Sequence, residues 1–126
     1  MATDYLAIKR DHHHSSFAQS LSSARSTGDY CDVTLVCDNN FYHVHKLVLA
    51  SCSEYFTLML QNTVDKHPLI VLADVNPKVL VSLLDYMYDG NVTILHSELP
   101  ALLKAAGSYK IKGLVEIRLE DFLPWM

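Results

Sequence analysis

The spacing at which apolar residues recur changes several times along the chain, and each change marks the boundary of a predicted strand or helix. Residues 5–9 form a short, weakly apolar stretch that predicts a strand with no neighbouring hairpin partner, so it must pair with a distant segment or with another chain. Phe17, Leu21 and Ala24 recur at helical spacing and predict an amphipathic helix that ends near Gly28. Because its opposite face is rich in uncharged Ser and Gln, this helix has two interpretations: an ordinary surface helix, or one that packs on a partner subunit.

The middle of the chain predicts a hairpin followed by two helices. The strands of the hairpin are residues 32–37 and 41–44, and its turn is residues 38–40. Residues 46–52 are too continuously apolar for a surface helix, and they predict a helical turn that is buried on all sides. Ser53 then provides an N-cap, followed by an acidic residue, for a helix over residues 53–62.

The second half of the chain predicts a strand and then helices separated by one further short strand. Residues 69–72 are apolar on both faces and therefore predict a strand in the interior of the sheet. Asn76 and Pro77 mark the start of a helix that Gly90 ends. The remaining predicted elements are a short strand at 92–95, a helix from Ser97 to Gly113 and a helix from Leu114 to Pro124. This order of elements is typical of a mixed α/β (α+β) domain, in which helices surround a small mixed sheet.

Composition narrows the classes of protein to which the chain can belong. Its 126 residues suit one domain, and 50% hydrophobic with 19% charged residues is typical of a compact globular fold. The formal net charge of −4 argues against direct binding of this domain to nucleic acid. Three cysteines without a Cys-x-x-Cys motif disfavour a disulfide framework and suit a reducing compartment. The sequence shows neither a signal-peptide pattern nor an apolar run of about 18 residues, so it predicts no secretion and no membrane span by its own signals.

Residue types that carry catalysis or bind metals occur in patterns that support neither. His43, His45 and Cys52 match no common zinc-site spacing, and no third group is placed to hold a base beside a nucleophile. The three histidines at 12–14 are adjacent, so their side chains point in different directions. We therefore expect no enzyme activity, no bound metal and no cofactor, and we expect His45 to serve in packing and hydrogen bonding.

Two charged residues at the ends of apolar elements are the strongest candidates for a site. Asp32 begins an otherwise apolar strand, and Lys46 begins an otherwise apolar helix. Burying either charge alone would be unfavourable by several kcal/mol, so each one needs a partner or water. The residues alone leave two alternatives open: both side chains lie exposed at element ends, or both line a polar pocket.

A resemblance to a known family rests on four blocks of sequence. Residues 41–56, FYHVHKLVLASCSEYF, resemble the signature of the BTB/POZ domain: an apolar residue, a His, a basic residue, a short apolar helix and then Ser-x-Tyr-Phe. Residues 31–36 resemble the first core strand of that family, and residues 66–75 and 111–114 resemble its Tramtrack group, which consists of insect transcription and chromatin regulators. The signature residues of the core are His45, Leu49, Ser53, Tyr55 and Phe56.

The resemblance implies a two-fold dimer with a defined division of the chain. Residues 1–30 would form the N-terminal strand and dimerisation helix, residues 31–123 the BTB/POZ core, and residues 124–126 the end leading to further regions of a longer protein. Asp32 and Lys46 match the acidic and basic residues that line a pocket at the family's dimer interface. The implied interface residues are Leu6, Ile8, Phe17, Leu21, Ala24, Asp32 and Lys46.

The implied function is homo-oligomerisation within a nuclear transcription or chromatin regulator, where the domain brings DNA-binding regions together and recruits co-regulator proteins. Its partners would be a second copy in an obligate homodimer, further copies or related BTB domains in larger assemblies, and co-regulators. The alternative is a substrate adaptor of a cullin ubiquitin ligase. Such adaptors often carry an apolar-x-Glu motif after the helix equivalent to residues 53–62, and the segment here, TVDK at 63–66, offers no clear match.

The N-terminal stretch predicts weak assembly beyond the dimer. Tramtrack-type domains resemble one another in a segment of the form Leu-basic-Trp-Asn-Asn-His-x-Ser, and the matching residues here are 8–15. Arg10 stands where the Trp is typical, which removes a large anchoring side chain. We therefore expect a dimer that associates further only weakly.

Overall fold

Helices surround a small mixed sheet in the computed structural model, which describes residues 4–125 and their side chains as far as Phe122. Predictions for residues 1–3, for Met126 and for the side chains of 123–125 lie outside this range. Within it, the helices are α1 (His13–Thr27), α2 (Lys46–Cys52), α3 (Glu54–Gln61), α4 (Pro77–Asp89) and α5 (Leu99–Ser108). The strands are β1 (Val33–Cys37), β2 (Asn40–Val44) and β3 (Leu69–Val71), and 3-10 turns occupy His96–Glu98 and Leu119–Trp125. The predicted fold class is confirmed.

The hairpin of β1 and β2 forms as the sequence predicts. The two strands pair antiparallel from Val33 opposite Val44 to Cys37 opposite Asn40. Asp38 and Asn39 have φ values of 46° and 63°, the left-handed conformations that a tight hairpin turn needs and that Asp and Asn adopt more readily than most residues.

The position of β3 in the sheet was predicted wrongly. The strand order is β2-β1-β3, with β3 parallel to β1, so β3 is an edge strand and β1 is the central one. Ile70 is buried, whereas Leu69 and Val71 are 57% and 67% exposed. A run that is apolar on both faces indicates burial on both sides only where helices cover both faces, and here the outer face of the sheet is open.

The core lies between the inner face of the sheet and helices α2 to α5. Its fully buried side chains include Val33, Leu35, Val44, Leu49, Phe56, Leu80, Leu83, Leu84 and Ile111. Helix α4 begins and ends as predicted: Asn76 accepts a hydrogen bond from the N–H of Val79 at 2.8 Å, and Gly90 ends the helix at φ 79°. Its leucines recur at helical spacing and therefore face the core together.

The region of α2 and α3 matches the prediction in part. Ser53 caps α3 by accepting a hydrogen bond from the N–H of Phe56 at 3.1 Å. The expectation that residues 46–52 are buried on all sides is wrong, because Leu47 is 65% exposed while Val48 and Leu49 are buried. One side of this short helix is therefore at the surface of the chain.

Three predictions for the C-terminal third are wrong. Residues 92–95 have no regular secondary structure and pair with no strand of the described part of the chain, and Ser97 lies inside a 3-10 turn instead of capping α5. Helix α5 ends at Ser108, because Lys110 turns into the left-handed region at φ 48° well before Gly113. After Leu114 the chain forms turns and a 3-10 segment that includes Pro124, rather than an α-helix that ends there.

Candidate self-association surface

Helix α1 packs on the outside of α4 through polar contacts and through Leu21, which is half-buried against the core. Arg25 forms a salt bridge to Asp85 at 2.8 Å, and its guanidinium lies 5.0 Å from the ring centroid of Tyr88. Ser22 donates a hydrogen bond to Asp89 at 2.7 Å. No side chain of α1 is buried, and Phe17 is 53% exposed. A helix of 15 residues with no buried side chain gains little stability from its own chain.

The outward side of α1 borders a broad depression with small side chains along it. The depression has a volume of about 540 Å³ and is lined by Ser16, Gln19, Ser20, Ser23, Ala24, Thr27, Asp29 and Tyr30. Tyr30 is 90% exposed and has a left-handed backbone, with φ 61°. Small side chains here would allow another helix to approach α1 closely.

The N-terminal segment before α1 is exposed and unpaired within its own chain. Residues 4–10 form no regular structure, and Tyr5, Leu6 and Ile8 are 100%, 88% and 91% exposed. The sequence predicted a strand here that pairs with a distant segment or with another chain. Among the described residues no such partner strand lies within the chain, so the second of those alternatives remains a prediction.

Asp32 and Lys46 meet, but not as a pair of charged side chains. The carboxylate of Asp32 accepts a hydrogen bond from the backbone N–H of Lys46 at 2.7 Å, which caps the N-terminus of α2 from a distant strand. The ammonium group of Lys46 instead donates to the carbonyl oxygen of Lys66 at 2.8 Å. Both residues are half-buried in the single chain, so neither of the two alternatives left open by the sequence holds in full.

Replacing Asp32 with alanine should therefore destabilise the fold. Loss of the acceptor at the N-terminus of α2 is expected to lower the free energy of unfolding by about 1–2 kcal/mol, whereas Asp32→Asn should cost less because its amide oxygen can still accept. Urea denaturation followed by circular dichroism measures both. Asp65→Ala, at an exposed loop position, is the control, and an Asp32→Ala variant as stable as that control would contradict the capping role.

His45 holds a buried hydrogen-bond network, as its predicted packing role suggests. The hydroxyl of Tyr88 accepts from the backbone N–H of His45 at 3.0 Å and lies 2.7 Å from its Nδ1. The hydroxyl hydrogen is thus free to point at Nδ1, and Nε2 carries the ring proton and donates to the carbonyl of Asp29 at 2.9 Å. Burial raises the pKa of Tyr88 to about 12. The network ties β2, the start of α2, α4 and the segment after α1 together.

The remaining signature residues serve the core instead of the surface. The hydroxyl of Ser53 donates to the carbonyl of Tyr109 at 2.6 Å while it caps α3. Phe56 stacks on Tyr109 at a centroid distance of 5.8 Å, and Tyr55 meets both rings edge-on. Leu49 is fully buried. The signature residues thus lie in the core or, for Tyr55, half-buried against it, whereas the predicted interface residues lie at the surface or half-buried.

The described residues hold no reactive cluster. No three His, Cys, Asp or Glu side chains within them are close enough to bind a metal ion together. Cys31 lies 3.8 Å from Nε2 of His45, but burial and the nearby Asp32 raise the pKa of its thiol, which opposes thiolate formation. Within the same part of the chain, no helix is both long enough and apolar enough to cross a membrane.

Sequence reasoning missed the partners of these residues. It did not identify Tyr88 or Asp29 as partners of His45, nor the Arg25–Asp85 contact that seats α1. One available signal was Asp85 itself, a charge between the apolar Leu84 and Tyr86 of α4. It marks the side of that helix on which an element carrying a positive charge would pack.

The described residues form a mixed α/β domain that leaves apolar segments exposed, and such surfaces are typical of protein-interaction modules. The sequence matches the BTB/POZ domain over residues 21–124. In structure it is similar to the BTB domain of zebrafish PATZ1, with a TM-score of 0.83 and 25% identity over 97% of this chain and 100% of that one. The chain belongs to the BTB/POZ family, whose members are non-enzymatic, self-associating interaction domains.

The relatives in Drosophila melanogaster include proteins much longer than this chain and one of similar length. Protein abrupt is 37% identical over 90% of this chain, and Protein tramtrack, alpha isoform, is 34% identical over 93% of it. The Longitudinals lacking protein-like sequence is 38% identical over 86% of both proteins. This chain spans only 12% of the length of abrupt and 14% of that of tramtrack, so it corresponds to one domain of those longer proteins.

Proposed function

We propose that this domain forms a two-fold homodimer in which α1 packs on the α1 of a second copy. The observation that carries the proposal is the position of α1: it lies outside α4, buries no side chain and exposes 53% of Phe17. Leu21 and Ala24 are half-buried on the same helix, so contact with a partner would complete their burial. Such obligate interfaces commonly bury about 2,000 Å² or more.

The N-terminal segment would complete the dimer by crossing to the partner. Residues 4–10 and 91–95 are two segments without regular secondary structure, and neither pairs with a strand among the described residues. Pairing of the first with the second of a partner would satisfy the backbone groups of both. Val92 and Ile94 lie beside an apolar groove of about 290 Å³ that also includes Leu99 and Phe122. Leu6 and Ile8, both almost fully exposed, would then lie next to apolar surface.

Asp32 and Lys46 would border this dimer and specify it. Both are half-buried in the single chain, and one oxygen of the Asp32 carboxylate accepts a hydrogen bond from the N-terminus of α2. Its other oxygen is free to accept from a partner. Because a buried charged pair seldom adds net stability, their role would be to favour one docking geometry over others.

In a longer protein the dimer would hold DNA-binding or chromatin-binding regions together, so that weak sites act with avidity. The resemblance to the Tramtrack group supports this role in the nucleus, with co-regulator proteins as further partners. The net charge of −4 supports a division of labour in which other regions of the protein contact the DNA.

Sedimentation velocity tests the dimer directly. At micromolar concentration the domain should sediment with at least twice the chain mass of 14.2 kDa. A monomer across that range would contradict the proposal. Submicromolar binding of a cullin N-terminal domain in calorimetry would favour the adaptor function instead.

A further inference from the structure

The hydroxyl of Ser22 forms a hydrogen bond to a carboxylate of another helix. It donates to Oδ1 of Asp89, the last residue of α4, at 2.7 Å. The hydroxyls of Ser20 and Ser26 instead donate to the carbonyl oxygen four residues earlier in α1 itself. The Ser22 hydroxyl therefore helps to hold α1 against α4, which the hydroxyls of Ser20 and Ser26 do not.

The end of α4 that accepts this hydrogen bond is acidic. Asp85 lies one turn before Asp89, and the last turn of α4 contains no basic residue. The carbonyl groups at a helix C-terminus add a partial negative charge to the charges of the two carboxylates. The neutralising cation comes from α1, because Arg25 pairs with Asp85 at 2.8 Å. Apart from the half-buried Leu21, the contact between the two helices thus depends on one hydroxyl that donates and on one cation.

We propose that Ser22 is a phosphorylation site and that a phosphate group there releases α1 from α4. A serine kinase would transfer the γ-phosphoryl group of ATP to the Ser22 oxygen. The new O–P bond forms as the bond from the γ-phosphorus to ADP breaks, and the hydroxyl proton passes to a base of the kinase. The dianionic product has no hydrogen to donate to Asp89, and it adds a charge of about −1.5 to −2 at pH 7. Two anions then face each other, and this arrangement disrupts a contact by like-charge repulsion.

Arg25 does not compensate for the new charge. It follows Ser22 by three residues on the same helix, so its guanidinium group is within reach of a phosphate on Ser22. A guanidinium that turns to the phosphate leaves Asp85, and the two carboxylates of α4 then have no donor from α1. If the guanidinium stays on Asp85, the phosphate meets Asp89 unscreened. Either response weakens the contact between the helices.

Helix α1 opens at low cost, and this lets a kinase reach Ser22. The side chain of Ser22 is half-buried in the seated helix. No side chain of α1 is fully buried, and a segment with few buried apolar contacts opens locally with a small free energy. Release of α1 would also remove the surface on which the proposed dimer depends, so phosphorylation would favour the monomer. This last step rests on the α1 dimer proposed above.

Hydrogen exchange of the α1 amides tests the release of the helix. Phosphoserine is introduced at position 22 during translation, and phosphoserine at position 23 is the control, because Ser23 is adjacent and lines the depression on the outward side of α1. At a protein concentration low enough for a monomer, phosphate on Ser22 should lower the protection of α1 at least about tenfold, and phosphate on Ser23 less than about threefold. Equal effects at the two positions would overturn the role of the contact between Ser22 and Asp89.

A charge reversal at Asp89 shows whether repulsion is the cause. Asp89→Lys removes the carboxylate and places a cation opposite the phosphate, so this variant should regain most of the protection of α1 when Ser22 is phosphorylated. A phosphorylated Asp89→Lys variant that is no better protected than the phosphorylated wild type would overturn the repulsion at Asp89. Circular dichroism confirms that the core of every variant remains folded.

Peptide mass spectrometry tests whether Ser22 receives a phosphate. The chain is expressed in cultured Drosophila cells with phosphatase inhibitors, and trypsin, which cleaves after Arg10 and Arg25, releases residues 11–25 as one peptide. Fragmentation of this peptide should locate a phosphate on Ser22. A peptide without phosphate on Ser22 would overturn its assignment as a modification site.

Sedimentation velocity separates this inference from the proposed dimer. Phosphate on Ser22 that releases α1 and raises the dimer dissociation constant at least about tenfold supports both. Release of α1 without a change in the dimer supports the inference and contradicts the α1 dimer. A dimer and a protected α1 that both persist after phosphorylation overturn the inference and leave the dimer standing.

Discussion

Tyr88→Phe is expected to lower the free energy of unfolding by about 2–4 kcal/mol at neutral pH, although it removes a single oxygen atom. That oxygen accepts from the backbone N–H of His45 and bonds its Nδ1, and both groups are buried. A buried polar group that loses its partner costs about 1–3 kcal/mol, and this substitution leaves two such groups unpaired. Chemical denaturation at pH 7 measures the change.

The same substitution should alter the dependence of stability on alkaline pH. Burial raises the pKa of Tyr88 from 10.0 to about 12, so folding favours its protonated form. The stability that this group contributes is complete below pH 10 and is lost as the pH rises through about 12. The wild type and Tyr88→Phe should thus differ most below pH 10 and converge above it. Other tyrosines titrate in both proteins, which is why the difference between the two curves is the quantity to compare.

Tyr86→Phe provides the matched control on the same helix. The Tyr86 hydroxyl donates a single bond to the Lys112 carbonyl at 3.3 Å, and it is exposed to solvent that can replace it. Its removal should cost well under about 1 kcal/mol. Equal losses for the two variants would mean that the His45 network does not depend on Tyr88.

Phe17→Glu is expected to convert the proposed dimer to a folded monomer, with a rise of at least about 100-fold in the dimer dissociation constant. A two-fold interface contains each residue twice, and a central aromatic side chain often contributes about 2 kcal/mol or more to binding. Phe17 is 53% exposed in the single chain, so the substitution should disturb the monomer little. Sedimentation velocity measures the constant, and the melting temperature, extrapolated to low protein concentration, reports on the monomer.

Phe41→Glu is the matched control, since it makes the same chemical change at a similar exposure of 60%. Phe41 lies on β2 and not on α1, so this variant should keep the dimer. If Phe17→Glu remained dimeric while Phe41→Glu became monomeric, the dimer contact would lie at the sheet and not at α1.

The sequence by itself determined the elements whose signals are local. The spacing of Leu80, Leu83 and Leu84, the cap at Asn76 and the stop at Gly90 were enough to define α4, because each acts within one or two turns of chain. The hairpin and the Ser53 cap followed for the same reason. The BTB/POZ class was also available from sequence, because four blocks that resemble the family follow one another in order along the chain.

Only the tertiary structure decided which surfaces stay open and which partners meet. The apolar run at 69–72 could not reveal that β3 lies at an edge, since strand order depends on the parallel crossover that places β1 between its neighbours. Sequence indicated that Asp32 and Lys46 each need a polar partner but not which one. The fold directs the carboxylate to a helix N-terminus and the ammonium to the Lys66 carbonyl. Contacts between residues far apart in the chain depend on the geometry of the whole core, and no local period encodes that geometry.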